Sequence, residues 1–282
     1  MKKIEFKGLD YSFEGIIDKR NRRLKVFKHH CDSHLALAKK IIEVAKDHEL
    51  NKIWLRAETH DWMQYLESGF RLEAIDPHFF RGKPAFHLAC FLETERTYSA
   101  HWEEEQAILR GALSKHTSKD SIPSVSNFQD RKATFDDIPQ MVKLFEKVFT
   151  SYPTPITEPD HLKESMEDNT HFHLVFKDAE LVACASAEID WDNLNAEMTD
   201  CATHPDWNGQ GLMTLILQKL EYEMHQQGLY SLYTIARSKS PGINNIFKKL
   251  GYAYGGQFIN NCDICGQFED MNLWTKKIET NE

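Results

Sequence analysis

The segment at residues 196–213, AEMTDCATHPDWNGQGLM, constrains the fold of this chain most strongly, because it joins a strand to a helix through a short loop. An alternating strand pattern ends at Pro205, and Gly209 and Gly211 come directly before an amphipathic helical pattern. The first N–H groups of a helix lack partners inside it, and with the helix dipole they attract anions. The two glycines allow unusual φ values and close approach of the backbone to a ligand. The pattern indicates a loop that holds a phosphate-bearing ligand, but the Gly-x-Gly pair alone would also suit a plain tight turn.

Periodic patterns on both sides of this loop predict an α/β fold. Apolar residues that recur about every 3.6 positions indicate helices, and alternating or continuous short apolar runs indicate strands. The helices are predicted at residues 35–50, 62–67, 136–149, 160–166, 212–227 and 242–250. The strands are predicted at residues 52–57, 171–176, 181–189, 196–203 and 231–236, and the second and third of these form a hairpin.

Residues 35–70 and 212–252 follow the same order, which is helix, strand, helix and then a glycine with an aromatic residue. This order indicates a weak internal repeat, and two ordinary αβα units explain it equally well. Residues 27–32, FKHHCD, stand where the second copy has its glycine loop. Only the second copy is therefore equipped to hold a phosphate.

Residues 111–130 are rich in Ser, Lys and Asp and have no sustained periodicity, which predicts a linker. The linker would separate an N-terminal half, residues 1–110, from a C-terminal half, residues 131–282. Since the N-terminal half lacks the glycine loop, we expect it to be a scaffold or to form a homodimer.

Composition excludes two classes of protein. The net charge of −9 argues against a nucleic-acid binder, which needs a basic face to neutralise phosphates, and it is compatible with a small cationic substrate. No apolar run reaches the roughly 18 residues of a membrane helix, and no signal-peptide pattern follows the basic N-terminus. We therefore expect a cytoplasmic protein with no membrane or nucleic-acid partner, whose six scattered cysteines are reduced thiols.

The loop and the segment after it resemble two motifs of the GNAT acetyltransferases. The loop is similar to motif A, with Asn208 in place of a basic or longer amide residue and Met213 in place of a small one. Residues 231–252, a strand and a helix that ends in Leu-Gly-Tyr, resemble motif B. The resemblance implies a C-terminal GNAT fold, a mixed twisted sheet flanked by helices, and a degenerate GNAT-like N-terminal half.

The resemblance also implies acetyl-CoA as the cosubstrate and assigns residues to it. The backbone of the strand before the loop would pair with the pantetheine arm, and the loop would hold the pyrophosphate. The residues implied for these contacts are Cys201, Ala202, Thr203, Asn208, Gly209, Gln210, Gly211, Leu212, Met213 and Asn244.

Two acidic residues on the strand before the loop are the candidate catalytic groups. An amine with a pKa of about 10.4 must lose its proton before it accepts an acetyl group, and a carboxylate can take that proton. Glu197 aligns with the base of some family members, and Asp200 is predicted on the opposite face of the strand, so that one of the two faces the amine. The alternative is that Glu197 is a solvated or salt-bridged strand residue. Phe247 replaces the tyrosine that usually acts as general acid, so the thiolate leaves unassisted or Tyr252 or Tyr254 substitutes.

Residues 260–274, NNCDICGQFEDMNLW, are unusually rich in Asn, Asp and Glu. The Cys-x-x-Cys pair within them lacks the second pair that a structural zinc site needs, so no metal is predicted. The acidic side chains of this stretch could bind an ammonium group, or they could be polar residues of a hairpin. The candidates for the ammonium group are Asp263, Glu269 and Asp270.

This stretch, together with residues 152–156, 197–203 and 236–238, resembles the β-lysine N6-acetyltransferase family over the whole chain. The resemblance implies acetyl transfer to the side-chain amine of β-lysine, which gives the compatible solute N6-acetyl-β-lysine. Arg237 is the candidate partner for the carboxylate of this small molecule, or else a surface residue or a contact to CoA phosphate.

Two alternatives stay open. The acceptor could be another amine, such as lysine, a polyamine or an antibiotic. The chain could also be a non-catalytic acetyl-CoA-binding protein, which Phe247 and Met213 favour.

Overall fold

The computed structural model describes residues 1–116 and 127–278. The strands of this part of the chain are β1 (Lys2–Lys7), β2 (Tyr11–Asp18), β3 (Arg23–Cys31), β4 (Lys52–Ala57), β5 (Arg71–Phe80), β6 (Lys83–Phe91), β7 (Gln129–Lys132), β8 (Thr170–Lys177), β9 (Glu180–Asp190), β10 (Asn195–Thr203), β11 (Ser231–Arg237), β12 (Ala253–Ile264) and β13 (Gln267–Lys277). The α-helices are α1 (His34–Asp47), α2 (Trp62–Leu66), α3 (Trp102–Leu113), α4 (Ile138–Val148), α5 (Pro159–Asp168), α6 (Leu212–Gln226) and α7 (Pro241–Lys249). Short 3-10 helices lie at Thr94–Thr97, Phe135–Asp137 and Pro205–Trp207.

The strands form one continuous mixed sheet with helices on its faces. Their order across the sheet is β1-β2-β3-β4-β6-β5-β12-β13-β11-β10-β9-β8-β7. Neighbours are parallel where a helix crosses over, between β3 and β4 and between β10 and β11, and the other neighbours are antiparallel. The predicted α/β class, with a mixed sheet flanked by helices, is confirmed.

The two halves of the sheet repeat one strand order. In the N-terminal half, β1, β2 and β3 are antiparallel, α1 crosses to the parallel β4, and β4, β6 and β5 are antiparallel. The C-terminal half follows the same pattern. Its antiparallel strands are β8, β9 and β10, α6 crosses to the parallel β11, and β11, β13 and β12 are antiparallel. Strand β7 is added at the edge, next to β8. Two unrelated αβα units would not share a complete strand order, so the internal repeat is the better interpretation.

The halves meet at a narrow backbone junction between β5 and β12. Gly256 and Ala74 form the one register pair between these strands in the described residues. Gly256 has a φ of 142°, and a Cβ atom there would lie 2.5 Å from the Cα atom of Ala74 and 2.4 Å from the carbonyl oxygen of Glu73. Only glycine therefore lets the two halves of the sheet approach at this point.

The side chain of Arg96 reinforces the junction. Its buried guanidinium donates to the carbonyl oxygens of Asn21 and Arg22 in the N-terminal half and of Asn260 in the C-terminal half, at 2.7 to 3.1 Å. It also donates to the side chain of Asn51. Because one guanidinium satisfies carbonyl groups from both halves, the halves are fixed to each other by more than apolar packing.

Helix α3 follows the N-terminal half in the sequence but packs on the C-terminal half. Leu109 is buried with residues of α6 and α7 in one core. Regular structure covers both ends of the predicted linker, since α3 continues to Leu113 and β7 begins at Gln129. Residues 117–126 of that prediction lie outside the described residues.

The sheet of the C-terminal half carries a different layer on each face. Helices α3, α6 and α7 cover one face, where Ala196 and Met198 lie in the largest core. Helices α4 and α5 cover part of the other face, beside Cys184. The N-terminal half closes the rest of that second face, and its Trp54 lies in one apolar cluster with Tyr233 of β11. We call the second face the inner face. No helix in the described part of the chain is long and apolar enough to cross a membrane.

Candidate active site

Strands β10 and β11 separate along their length and leave a gap that opens toward the loop before α6. Their parallel pairing covers only Asn195–Glu197 against Ser231–Tyr233. Beyond Glu197, β10 stays paired with β9 as far as Thr203, so its other edge faces the gap. The backbone of Cys201, Ala202 and Thr203 lies on this part of β10, where an extended ligand could add as a strand would.

The loop ends in a helix start that no side chain caps. The 3-10 helix Pro205–Trp207 leads to Gly209, with a φ of 77°, and to Gly211, the N-cap of α6, with a φ of 81°. The side chains of Leu212 and Met213 point into the core and are buried, so these residues present only backbone at the helix start. The large Met213 side chain therefore does not obstruct the loop, and the uncapped N–H groups suit a pyrophosphate.

The remaining residues predicted for the cofactor differ in their surroundings. Asn208 and Gln210 are exposed on the loop and accessible to a ligand. Asn244 is completely buried, and its amide donates to two backbone carbonyl oxygens and accepts from the side chains of Asn272 and Trp274. These four bonds use the whole hydrogen-bonding capacity of the Asn244 side chain, so it ties α7 to β11 and β13 and has none left for pantetheine.

Glu197 lies on the inner face of β10, where β10 and β11 begin to separate. It stands opposite Glu188 of β9 and Tyr233 of β11, and the Tyr233 side chain lowers its pKa. Burial, and then the charge of Glu188, raise the pKa of Glu197 to about 7, while Lys25 opposes the shift. A carboxyl group with a pKa near neutrality is well matched to accept a proton at neutral pH. This environment favours the predicted base over a solvated strand residue.

A β-bulge places Asp200 on the same face as Glu197, so the predicted opposite orientation is wrong. The register of β10 against β9 shifts in this region, and Asp200 itself adopts a φ of 51°. The hydroxyl group of Ser186, on the inner face, donates to the Asp200 carboxylate at 2.7 Å. Burial raises the pKa of Asp200, and hydrogen bonds from Ser186 and Tyr152 oppose that shift. Since the Ser186 hydroxyl group holds the Asp200 carboxylate, Glu197 is the stronger candidate for the base.

Groups from the N-terminal half complete the inner face around Glu197. Lys25 of β3 interacts electrostatically with Glu197 and Glu188, while burial and the neighbouring Arg23 lower its pKa. Arg56 of β4 also acts electrostatically on Glu197, and it lies against aromatic rings. The half without a glycine loop therefore contributes charged groups to the surroundings of Glu197.

Three of the residues predicted to bind the acceptor are engaged in local contacts. Arg237 and Glu269 form a bidentate ion pair with both N···O distances at 2.8 Å, at the end of β11 that lies away from Glu197. Asp263 accepts a 2.8 Å hydrogen bond from the backbone N–H of Gly266 in the turn between β12 and β13. These contacts favour the reading of polar hairpin residues for this stretch.

Asp270 is buried on the side of the sheet that α3 covers. Its carboxylate accepts a 2.6 Å hydrogen bond from the backbone N–H of Asn260. It also lies beside Glu105 of α3, whose pKa is raised to about 8 by burial and by the charge of Asp270. Asp270 therefore belongs to a buried polar network and faces away from Glu197.

The aromatic residues near α7 are packing residues. Phe247 is completely buried and packs edge-on against Tyr252, with ring centroids 4.9 Å apart. Tyr254 packs against Trp274 at 5.7 Å, and burial raises the pKa of both tyrosines. A thiolate leaving group, with a thiol pKa of about 8.5, needs little help from an acid, so the loss of a tyrosine at position 247 is tolerable.

The two cysteines of the C-terminal motif have different surroundings. Cys262 is buried, and the Arg23 guanidinium approaches its Sγ atom to 3.7 Å, whereas Cys265 is exposed in the β12–β13 turn. In the residues that the structure describes, no group of three or more His, Cys, Asp and Glu side chains could hold a metal ion.

Sequence reasoning missed the groups that surround Glu197. Glu188 and Arg56 had a readable signal, because each is a charged residue that ends a run of mostly apolar residues, LVACASA before Glu188 and IWL before Arg56. Lys25 and Tyr233 had no such signal in the sequence. Tyr233 lies beside Glu197 because of the register of β10 against β11, and Lys25 does so because the two halves are in contact.

Comparisons with known proteins agree with this geometry. The model of the acetyltransferase (GNAT) family matches residues 138–252. The β-lysine N6-acetyltransferase of Methanosarcina mazei is 34% identical over 74% of this chain and 85% of its own length. The corresponding enzyme of Methanococcus maripaludis is 31% identical over 86% of this chain and 88% of its own length. The N-acetyltransferase YodP of Bacillus subtilis is 32% identical over 92% of this chain and 93% of its own length.

Proposed function

Because this chain belongs to the GNAT acetyltransferases, and within them to the β-lysine N6-acetyltransferase family, we propose that it transfers acetyl from acetyl-CoA to the N6 amine of β-lysine. The product is N6-acetyl-β-lysine, a neutral zwitterion suited to the role of compatible solute. The observation that carries the proposal is the position of Glu197, which lies where the gap between β10 and β11 begins and faces the N-terminal half.

The gap and the loop fit acetyl-CoA. The uncapped start of α6, with Gly209 and Gly211 at positive φ, would hold the pyrophosphate. The free edge of β10 at Cys201, Ala202 and Thr203 would hold the pantetheine arm. The acetyl thioester supplies the electrophilic carbon, and this arrangement brings it toward Glu197.

Glu197 removes the proton that blocks the reaction. Holding a lysine-like ammonium group in its neutral form at pH 7 costs about 4.6 kcal/mol. Glu197, with a pKa of about 7, takes this proton directly or through one water molecule. The amine nitrogen then forms a bond to the acetyl carbon, the carbon–sulfur bond breaks, and the thiolate of CoA leaves and takes up the second proton that the nitrogen loses.

The charges around Glu197 fit an acceptor with ammonium groups. Glu188 and Asp200 lie on the same face as Glu197, so this face carries two carboxyl groups in addition to the one that would act as the base. Carboxylates that are desolvated and close together favour binding of a cation. A substrate with two ammonium groups, such as β-lysine, is better suited to this surface than a neutral amine.

Release of free thiol from acetyl-CoA in the presence of β-lysine tests the proposal. We expect a β-lysine-dependent rate well above hydrolysis, and lower kcat/KM values for lysine and for spermidine. A higher kcat/KM on another amine would replace β-lysine as the acceptor. Binding of acetyl-CoA with no thiol release on any amine would instead support a non-catalytic binding protein.

A further inference from the structure

The N-terminal half places a buried arginine close to the candidate acceptor site. Arg56 is on β4, 8% exposed, and its guanidinium carbon lies 3.7 Å from the ring centroid of Phe79 and 5.1 Å from that of Trp54. A third ring, that of Phe27, lies 5.8 Å away. The aromatic rings fix the plane and position of the guanidinium group.

Aromatic contacts alone leave most of the hydrogen-bonding capacity of Arg56 unused. Its buried Nε atom has no hydrogen-bond partner, and no carboxylate among residues 1–116 and 127–278 forms an ion pair with it. Asp76 is close enough to interact electrostatically, but the hydrogen bond that its carboxylate accepts comes from the backbone of His78. A buried guanidinium with no hydrogen-bonded anion is costly, so the free donors of Arg56 are suited to bind an anionic group.

A chain of contacts connects Arg56 with Glu197. The ring of Phe79, which Arg56 covers, packs against the ring of Tyr233 with centroids 5.6 Å apart. Tyr233 in turn lies directly opposite Glu197 in the register of β10 and β11, and Arg56 acts electrostatically on both residues. Arg56 and the base therefore belong to one site, although they come from different halves of the chain.

The site thus has acidic groups on one side and a fixed cation on the other. Glu197 and Glu188 come from the C-terminal half, and Arg56 comes from the N-terminal half. This polarity matches a molecule with a reactive amine at one end and a carboxylate at the other. Lys25 also lies here, but the planar fork of Arg56 can form two parallel hydrogen bonds to a carboxylate.

We propose that Arg56 binds the carboxylate of the acceptor while the distal amine lies at Glu197, so that the N-terminal half selects amino acids over polyamines. This inference rests on the proposed acetyl transfer. It assigns acceptor selectivity to the half of the chain that carries no cofactor loop.

The test compares β-lysine with 1,4-diaminopentane, which is β-lysine without its carboxyl group. In Arg56→Gln, we expect KM for β-lysine to rise roughly 10- to 100-fold, which is the usual effect of losing a charged hydrogen-bond pair. We expect KM for 1,4-diaminopentane and KM for acetyl-CoA to stay within about twofold of wild type. Arg56→Lys keeps the charge and most of the bulk but loses the planar guanidinium group that forms two parallel hydrogen bonds. Its KM for β-lysine should therefore lie between that of the wild type and that of Arg56→Gln.

Arg71→Gln is the matched control, because Arg71 is an exposed arginine on β5 of the same half. Arg71→Gln should leave KM unchanged for both β-lysine and 1,4-diaminopentane. The proposed role of Arg56 would be overturned if both variants raised KM equally for the two amines, or if neither variant raised KM for either amine. Both results would leave the proposed acetyl transfer intact. If the wild-type protein acetylated no amine at all, the proposed function would fail first, and the anchor with it.

Discussion

At the scale of single residues, the chemistry depends on the surroundings of Glu197. The sequence identified Glu197 from its place before the loop, but it did not identify the partners that set its pKa. Glu188 and Tyr233 lie on neighbouring strands, and Lys25 comes from the other half of the chain. Which side chains meet across a sheet depends on register, and the bulge at Asp200 shows how one extra residue reverses an expected orientation.

Replacing Glu197 by Gln tests its role as the base. We expect kcat to fall by about 100- to 10,000-fold, since a general base contributes an effect of that size. The KM for acetyl-CoA should change little, because the loop and α6 are untouched. Thiol release under saturating amine measures kcat, and an unchanged kcat in Glu197→Gln would remove this residue from the mechanism.

The pH dependence tests the effect of Glu188 on Glu197. Because the base must be deprotonated, activity of the wild type should rise with pH through about 7, the pKa of Glu197. Glu188→Gln removes a negative charge that raises this pKa, so the rise in activity should move to lower pH. Glu180→Gln, at the exposed start of the same strand, serves as the control and should leave the profile of kcat/KM against pH unmoved.

At the scale of elements, the sequence was most informative where local chemistry determines structure. The helices α1, α4, α5, α6 and α7 and the strand β4 lie where periodicity placed them. Helix α3 was not predicted, because it contains Gly111 and merges into a stretch rich in Ser and Lys, and its packing on α7 comes from tertiary contacts. Asn244 shows the same limit, since a motif position suggested a ligand contact that internal hydrogen bonds preclude.

The start of α6 gives a prediction about the cofactor loop. Gly211→Ala puts a side chain at a φ of 81°, which costs about 1–2 kcal/mol, and it should raise KM for acetyl-CoA because the helix start shifts. Gly228→Ala, with a φ of 77° just after α6, is the matched control. Urea unfolding should show a similar loss of stability for both variants, and a raised KM for acetyl-CoA in the control would contradict the assignment.

At the scale of the whole molecule, the chain is a single sheet made from two repeats. The repeat could be suspected from the helix–strand–helix pattern, but the sequence contained no sign of which strands join the halves. That contact depends on the close approach of β5 and β12, where Gly256 meets Ala74. Long-range contacts of this kind leave no periodic trace in the sequence.

Gly256→Ala tests the junction. The added Cβ atom would meet backbone atoms at 2.4 and 2.5 Å, so we expect a loss of roughly 1–3 kcal/mol in the free energy of unfolding. The affinity for β-lysine should fall as well, because Arg56 moves relative to Glu197. Gly242→Ala, in α7 with nothing within 4 Å of the new Cβ atom, should be neutral or slightly stabilising. Equal stability of the two variants in urea unfolding would show that the halves tolerate separation at this point.

The placement of Arg56 in the first repeat and of the glycine loop in the second has a consequence for engineering and for evolution. If Arg56 anchors the acceptor, the carboxylate anchor and the cofactor loop are encoded in separate stretches of the gene, so the anchor can vary without altering the loop. A library restricted to the codons of β3, β4 and β5 should yield enzymes with new amine preferences and an unchanged affinity for acetyl-CoA. On the proposed assignment, the repeat without a cofactor loop would then serve as the specificity module of the enzyme.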